Sequence, residues 1–200
     1  MKARGGTTTI VTETALALTR LGAPALAVEA NAYRADARYR RQGARGLSVV
    51  LRGGAKASDP LQDLVISGED DFPDFIPVGD VENEQNLPDV LRLIDLLKET
   101  EGIYQIVLLD LPPLLVSVDA EILARNADVT VLVVEAEAVS KPELQKAAKA
   151  LERLRPKAAA AVMNQVQIDA GGGMGRAALH EFETGVPPTP PKWSTPWLWR

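Results

Sequence analysis

The stretch Tyr104-Gln-Ile-Val-Leu-Leu-Asp-Leu-Pro-Pro113 decides how the whole chain is read. Four consecutive aliphatic residues, Ile106 to Leu109, run into a carboxylate at Asp110, and two prolines follow within three residues. A short continuous apolar run of this kind reads as a buried parallel strand, and its charged end then faces the crevice where open α/β sheets bind ligands. A charge set directly after four buried aliphatics is expensive unless it has a role, so Asp110 is a candidate catalytic and metal-holding residue.

The same grammar extends on both sides of that stretch. Downstream, the pattern predicts a helix over 118–126, a strand over 129–134, a helix over 142–154 and a strand over 159–163 that ends at Asn164. Upstream, apolar residues at 87, 90, 91, 93, 94, 96 and 97 predict an amphipathic helix opened by Pro88. Residues 65–66 and 75–79 read as short strands, 47–51 as a helical turn, and Asp59-Pro60 as another helical start. Ala25 to Val28 is a further buried strand ending in an acid, Glu29, and 10–21 is a helix with Thr7, Thr8 and Thr9 as N-capping residues and Gly22 as its stop. Alternating strands and helices at this spacing predict an α/β fold with a mostly parallel sheet and helices on both faces.

With 200 residues, the chain is long enough for one α/β domain, placed at 1–170, plus a tail over 171–200. The tail opens on Gly171-Gly172-Gly173 and carries Pro187, Pro188, Pro190, Pro191 and Pro196 together with all three tryptophans, Trp193, Trp197 and Trp199. Such a composition favours an extended segment over a packed one. There is no cysteine and a single histidine, His180, so thiol chemistry and a histidine metal cage are excluded. A net charge of −5 argues against nucleic acid as a partner, although Arg34, Arg38, Arg40, Arg41 and Arg45 crowd one polar stretch. No apolar run approaches the roughly 20 residues that span a bilayer.

Phosphate-binding loops need glycines that let backbone N–H groups approach, a lysine for the β/γ charge and a Ser/Thr hydroxyl for Mg²⁺. Arg4-Gly5-Gly6-Thr7-Thr8-Thr9 supplies the glycines and the hydroxyls but no lysine. Glu29 and Asp110, both at strand ends, are the carboxylates that could hold the metal through water or polarise an attacking hydroxyl.

The stretch from Tyr104 to Pro113, followed by Asp119-Ala120 and Val129-Thr-Val-Leu-Val-Val134, resembles the Walker B region of the bacterial tyrosine kinases associated with polysaccharide co-polymerases. Thr12-Glu-Thr-Ala-Leu-Ala-Leu-Thr-Arg-Leu-Gly22 is similar to the helix after that family's P-loop, and Ala25-Leu-Ala-Val-Glu-Ala-Asn31 falls at its Walker A′ motif. Gly46-Leu47-Ser48 and Val162-Met163-Asn164 resemble two further family segments. The likeness spans about residues 4–166. It implies a P-loop fold of the MinD and bacterial tyrosine kinase type, with Gly5, Gly6, Thr7, Thr8 and Thr9 around ATP phosphates. It further implies Thr8 and Asp110 at Mg²⁺, Glu29 and Asp110 in catalysis, and Asn164 near adenine.

The departures are specific. Counted back from Gly22, the family's lysine falls on Thr7, and the Walker A′ aspartates are replaced by Glu29 and Asn31. Met1 stands five residues ahead of Gly6, so the strand that should hold the loop is expected to be missing or the chain start truncated. Tyr33, Tyr39 and Tyr104 are the only tyrosines, and the tail has none to phosphorylate. The resemblance therefore implies a degenerate, pseudokinase-like member acting as a nucleotide-binding or structural regulator of capsule or exopolysaccharide export. It would be cytoplasmic and held at the inner membrane by a co-polymerase partner, with homo-oligomerisation left open. The alternatives are an active ATP-dependent protein-tyrosine kinase that phosphorylates a partner, a ParA- or MinD-like ATPase, and an interaction module without nucleotide.

Overall fold

Strand β1, Ala25–Glu29, is buried at all five positions, and the candidate site is arranged around it. In this computed structural model, which describes residues 6–31, 46–48, 61–68, 73–79 and 90–166, β1 lies between β2 (Asp74–Ile76) and β3 (Ile106–Asp110). Both pairings are parallel, with Val28 opposite Ile76 on one side and Leu109 on the other, and Glu29 opposite Asp110. A separate parallel pair joins β4 (Thr130–Glu135) to β5 (Ala159–Asn164). Four helices accompany them: α1 (Thr7–Arg20), α2 (Val90–Leu97), α3 (Val118–Asn126) and α4 (Lys141–Leu154).

Side chains alternate across a strand, and this alternation divides the three-stranded sheet into two faces. Ala25, Ala27, Phe75 and Leu108 pack against Ala15, Val11 and Leu18 of α1. Leu26, Val28 and Ile76 point the other way, into a larger cluster with Val90, Leu93 and Leu96 of α2 and Leu123 of α3. Burying side chains such as Leu26 and Val28 completely stabilises the fold by about 1.5–3 kcal/mol each. The sheet therefore has helices on both faces, as its near-continuous aliphatic strands require. On β4, Leu132 and Val134 pack against Ala147 and Leu151 of α4.

Several local features differ from the sequence reading. Helix α1 is capped by Gly6 in the left-handed region at φ 80°, with no side-chain cap, so Thr7, Thr8 and Thr9 form its first turn rather than its N-cap. Gly22, at φ 82°, ends α1 as expected, because a residue without Cβ takes that conformation freely. Residues 65–66 contribute only an antiparallel bridge from Ile66 to Phe75, and β2 is three residues long rather than a run to Gly79. Helix α4 opens with a capping box, Ser140 accepting from the Glu143 N–H while Glu143 accepts from Ser140, which the Ser-x-x-Glu spacing signals.

These elements belong to the first of two units, Met1–Gln165, and the second is Val166–Arg200. Gly5, the arginine cluster and the tryptophan-bearing tail lie outside the described residues. No helix among the described residues is long and apolar enough to cross a membrane.

Candidate functional site

In β3 the burial runs against the usual order. Ile106 is 37% exposed, whereas Asp110 at the strand's carboxyl end is 4% exposed. Asp110 lies two residues beyond Leu108, on the face that α1 covers, and there Thr8 Oγ1 donates to its Oδ2 at 2.5 Å. The bond closes 102 residues of chain and fixes the start of α1 to the end of β3. A threonine hydroxyl that donates to a carboxylate keeps its own lone pairs for a further partner.

The first turn of α1 reinforces the setting. The first bond within the helix is Ile10 N–H to Gly6 C=O, and the turn has neither an acidic residue nor a side-chain cap. Helix N-termini of this kind present amides and a partial positive charge to anions. Asn164 closes the other side, because a Cβ at Gly6 would collide with its Nδ2. Glycine at position 6 thus answers two demands at once, a positive φ and a close approach by β5.

Thr8, Asp110, Gly6 and Asn164 are accordingly brought together at one edge. Thr7 is half-buried in the same turn and Thr9 is exposed. Two positions at this edge have strained backbone without being glycine, Glu137 after β4 at φ 61° and Gln165 after β5 at φ 57°. Asp119, in the first turn of α3, has its carboxyl pushed above the ordinary range by burial.

Glu29 is placed differently. Only 2% of it is exposed, and its Oε2 accepts from the Val78 N–H at 3.1 Å, beyond the end of β2. Val78 in turn accepts from the Ser48 N–H at 2.8 Å, and Pro77 accepts from the Leu47 N–H at 3.0 Å. Gly46 and Gly79 touch through their backbones: a methyl on Gly79 would lie 2.9 Å from both the Gly46 nitrogen and Ser48 Oγ. Among the described residues, two buried side-chain oxygens have no hydrogen-bond partner, Asn31 Oδ1 and Ser48 Oγ. Sequence reasoning singled out Gly46-Leu47-Ser48 only for its family likeness and read Val78 as part of a strand, so the backbone crossing between them was not foreseen.

The donor set suits Mg²⁺, which prefers hard oxygens from one or two carboxylates together with phosphate. Among the described residues, no group of three or more histidine, cysteine or acidic side chains forms a self-sufficient metal site, so such an ion would depend on phosphate oxygens as well.

No family model and no curated protein matches the chain. Solved structures do match. The kinase domain of Escherichia coli tyrosine kinase ETK is 22% identical with a TM-score of 0.67, over 85% of this chain and 68% of that one. Cobyrinic acid a,c-diamide synthase from Mycobacterium smegmatis, solved with an ATP analogue and magnesium, is 15% identical with a TM-score of 0.66, over 91% and 78%. The septum site-determining protein MinD from Pyrococcus horikoshii, complexed with Mg-ADP, is 22% identical with a TM-score of 0.61, over 78% and 64%. A kinase, a synthase and a cell-division protein share this arrangement, so what the chain has in common with them is the P-loop type α/β fold.

Proposed function

We propose that this chain is a nucleotide-binding protein resembling the bacterial tyrosine kinases, with a weakened phosphate site, serving as a regulator in capsule or exopolysaccharide export. The observation that carries the reading is the Thr8–Asp110 hydrogen bond, which joins the hydroxyl and the carboxylate that a P-loop site needs at the N-terminus of a helix. In this reading the amides of the first turn, with Gly5 and Gly6, receive phosphate. Thr8 and Asp110 hold and orient Mg²⁺, whose charge would offset that of the phosphates. Asn164 borders the nucleotide next to Gly6.

Threonine at position 7 supplies no positive charge to the β- and γ-phosphates, so phosphate binding and transition-state stabilisation are both reduced. A regulator that senses nucleotide tolerates such a loss better than an enzyme does. Its partner in this reading is a membrane polysaccharide co-polymerase, which would bring a chain without a crossing helix among its described residues to the inner membrane. The matching CapA2B2 chimera, 24% identical with a TM-score of 0.66, supports looking for such a partner. A MinD-like ATPase is the second reading, favoured by the Mg-ADP complex of that fold neighbour.

Calorimetric titration with Mg·ATP at low salt tests the proposal. Wild-type protein is expected to bind weakly, and Thr7→Lys to bind about tenfold or more tightly, as one restored charge-assisted contact to phosphate provides. A folded Thr7→Lys protein that binds no better would overturn both the register and the nucleotide site. Phosphate transfer to a tyrosine-bearing partner peptide would move the reading to an active kinase, and hydrolysis without transfer to the MinD-like ATPase.

A further inference from the structure

We propose that Glu29 is a positioning residue, and that its carboxylate latches the Gly46–Ser48 segment to the end of the sheet instead of holding a metal or moving a proton. The motif position alone would assign it to chemistry. Its geometry assigns it to architecture. Glu29 is 2% exposed at the end of the central strand, and its side chain reaches past the last β1–β2 pair, Val28 opposite Ile76, to take the Val78 N–H at 3.1 Å. That amide has left the ladder and lies in the interior, so without Glu29 it would be a buried donor with nothing to meet.

Val78 passes the constraint on. Its carbonyl accepts from Ser48 and the preceding carbonyl of Pro77 accepts from Leu47, so two successive amides of the 46–48 segment hang on the residues that Glu29 fixes. The crossing is held at backbone distance because positions 46 and 79 are both glycine, and Leu47, 1% exposed, plugs the cluster shared by β1, β2 and α2. Ser48 Oγ is thereby placed in the interior without a hydrogen-bond partner.

Side-chain length is decisive for this role. Aspartate would be shorter by one carbon–carbon bond, about 1.5 Å, which takes its oxygen out of hydrogen-bond range of the Val78 N–H. Glutamate at this position is what the reach demands. A glutamine, equal in length and still an acceptor, can do the same with a neutral bond.

Amide hydrogen exchange on the full chain reads the latch without any nucleotide, so its outcome is separate from that of the nucleotide reading. In Glu29→Ala and Glu29→Asp the amides of Val78 and Ser48 are expected to lose protection by at least about tenfold relative to amides of β3, the scale set by one unpaired buried donor. In Glu29→Gln they should stay within about threefold of wild type, since a neutral bond has roughly half the strength of a charged one. Mg·ATP titration of Glu29→Gln is the second measurement, with affinity and magnesium dependence expected to remain those of the wild type. Protection that survives in Glu29→Ala would overturn the latch, and so would a Glu29→Gln protein that keeps its protection but loses magnesium-dependent binding. If the alanine protein does not fold, the aspartate and glutamine variants still decide the matter through their opposite effects.

Discussion

The two ends of the three-stranded sheet treat buried polar groups in opposite ways. At the amino end, Asp74 accepts from the Gly68 N–H at 2.8 Å and from the Tyr104 hydroxyl at 2.7 Å, and the Gln105 N–H meets the Pro24 carbonyl at 2.9 Å. At the carboxyl end, Asp110 and Glu29 lie almost wholly out of water, and beyond Glu29 the Asn31 and Ser48 oxygens have no partner. A fold gains nothing from an orphaned buried oxygen, which costs about 1–3 kcal/mol in desolvation. The amino end is built for stability, and the carboxyl end, apart from the Glu29 bond to the Val78 N–H, retains polar groups that stability does not require. This is the division expected of open α/β sheets, whose ligands bind at the carboxyl edge.

The largest contrast should come from the same substitution made at each end. Asp74→Ala removes the acceptor of two donors and is expected to lower the unfolding free energy by about 2–3 kcal/mol, while Mg·ATP affinity stays unchanged. Asp110→Ala should stay within about 1 kcal/mol of wild type, because removing a carboxylate that is 4% exposed offsets what the lost Thr8 bond contributed, but it should lose magnesium-dependent binding. Urea unfolding and calorimetry on both proteins check the pair. A severe loss of stability in Asp110→Ala alone would break the comparison.

Gly6→Ala comes next in size. An L-residue held in the left-handed region is disfavoured by about 1–2 kcal/mol, and the added methyl displaces the Asn164 amide, the movable end of a side chain. Stability and Mg·ATP affinity should therefore fall together, which distinguishes this position from Asp74, where only stability falls. Differential scanning fluorimetry with and without Mg·ATP separates the two effects.

Tyr104→Phe is expected to cost about 1 kcal/mol at neutral pH, the usual net worth of one hydrogen bond. Burial, with the Asp74 contact second, pushes the Tyr104 phenol well above its ordinary value. A group whose pKa is raised in the folded state gives its full contribution below its unfolded value and loses it as pH climbs through the folded one. The gap between wild type and Tyr104→Phe should thus be constant through neutral pH and narrow only above about pH 10, the ordinary phenol value. Chemical unfolding at stepped alkaline pH checks this, and the absence of a gap at neutral pH would mean that the Tyr104–Asp74 bond is not formed in solution.

The order of elements could be read from the sequence wherever apolar runs were long and bounded. Ile106 to Asp110, the helix ending at Asn126 and the strand ending at Asn164 fall where periodicity places them. Asp110 could be singled out as a candidate because its charge follows four aliphatics, and Thr8 because the family resemblance, counted back from Gly22, puts a hydroxyl there; the structure joins the two by a hydrogen bond. Long-range backbone acceptors leave no such trace. The Glu29–Val78 bond joins residues 49 apart and involves a main-chain donor that every non-proline residue carries, so no residue type announces it. Gly6 as N-cap was hidden for a similar reason, since three threonines that follow a glycine look like caps until the positive φ is known. The split of the five strands into two sheets also could not be read, because strand order is a property of crossovers and not of the strands themselves.

Ser48→Ala has an expected effect no larger than that of Tyr104→Phe, and its sign is what gives it value. The hydroxyl is in a residue 8% exposed, has no hydrogen-bond partner, and faces Gly79, where a missing side chain makes room for it. Replacing it by a hydrogen removes an unsatisfied polar group while leaving the Ser48 N–H bond to Val78 in place, since that bond uses only the main chain. Alanine loses no buried apolar surface here, and it also favours the helical conformation that residues 47 and 48 adopt. The variant should therefore be more stable than wild type by about 1 kcal/mol, the lower end of the range for an orphaned group. Most substitutions of a buried residue destabilise, so a gain would mark position 48 as one at which the wild-type residue is retained against stability. Urea midpoints at constant slope measure it. A loss of similar size would mean that the hydroxyl finds a partner in solution, and the carboxyl end would then be as fully satisfied at Ser48 as the amino end is at Asp74.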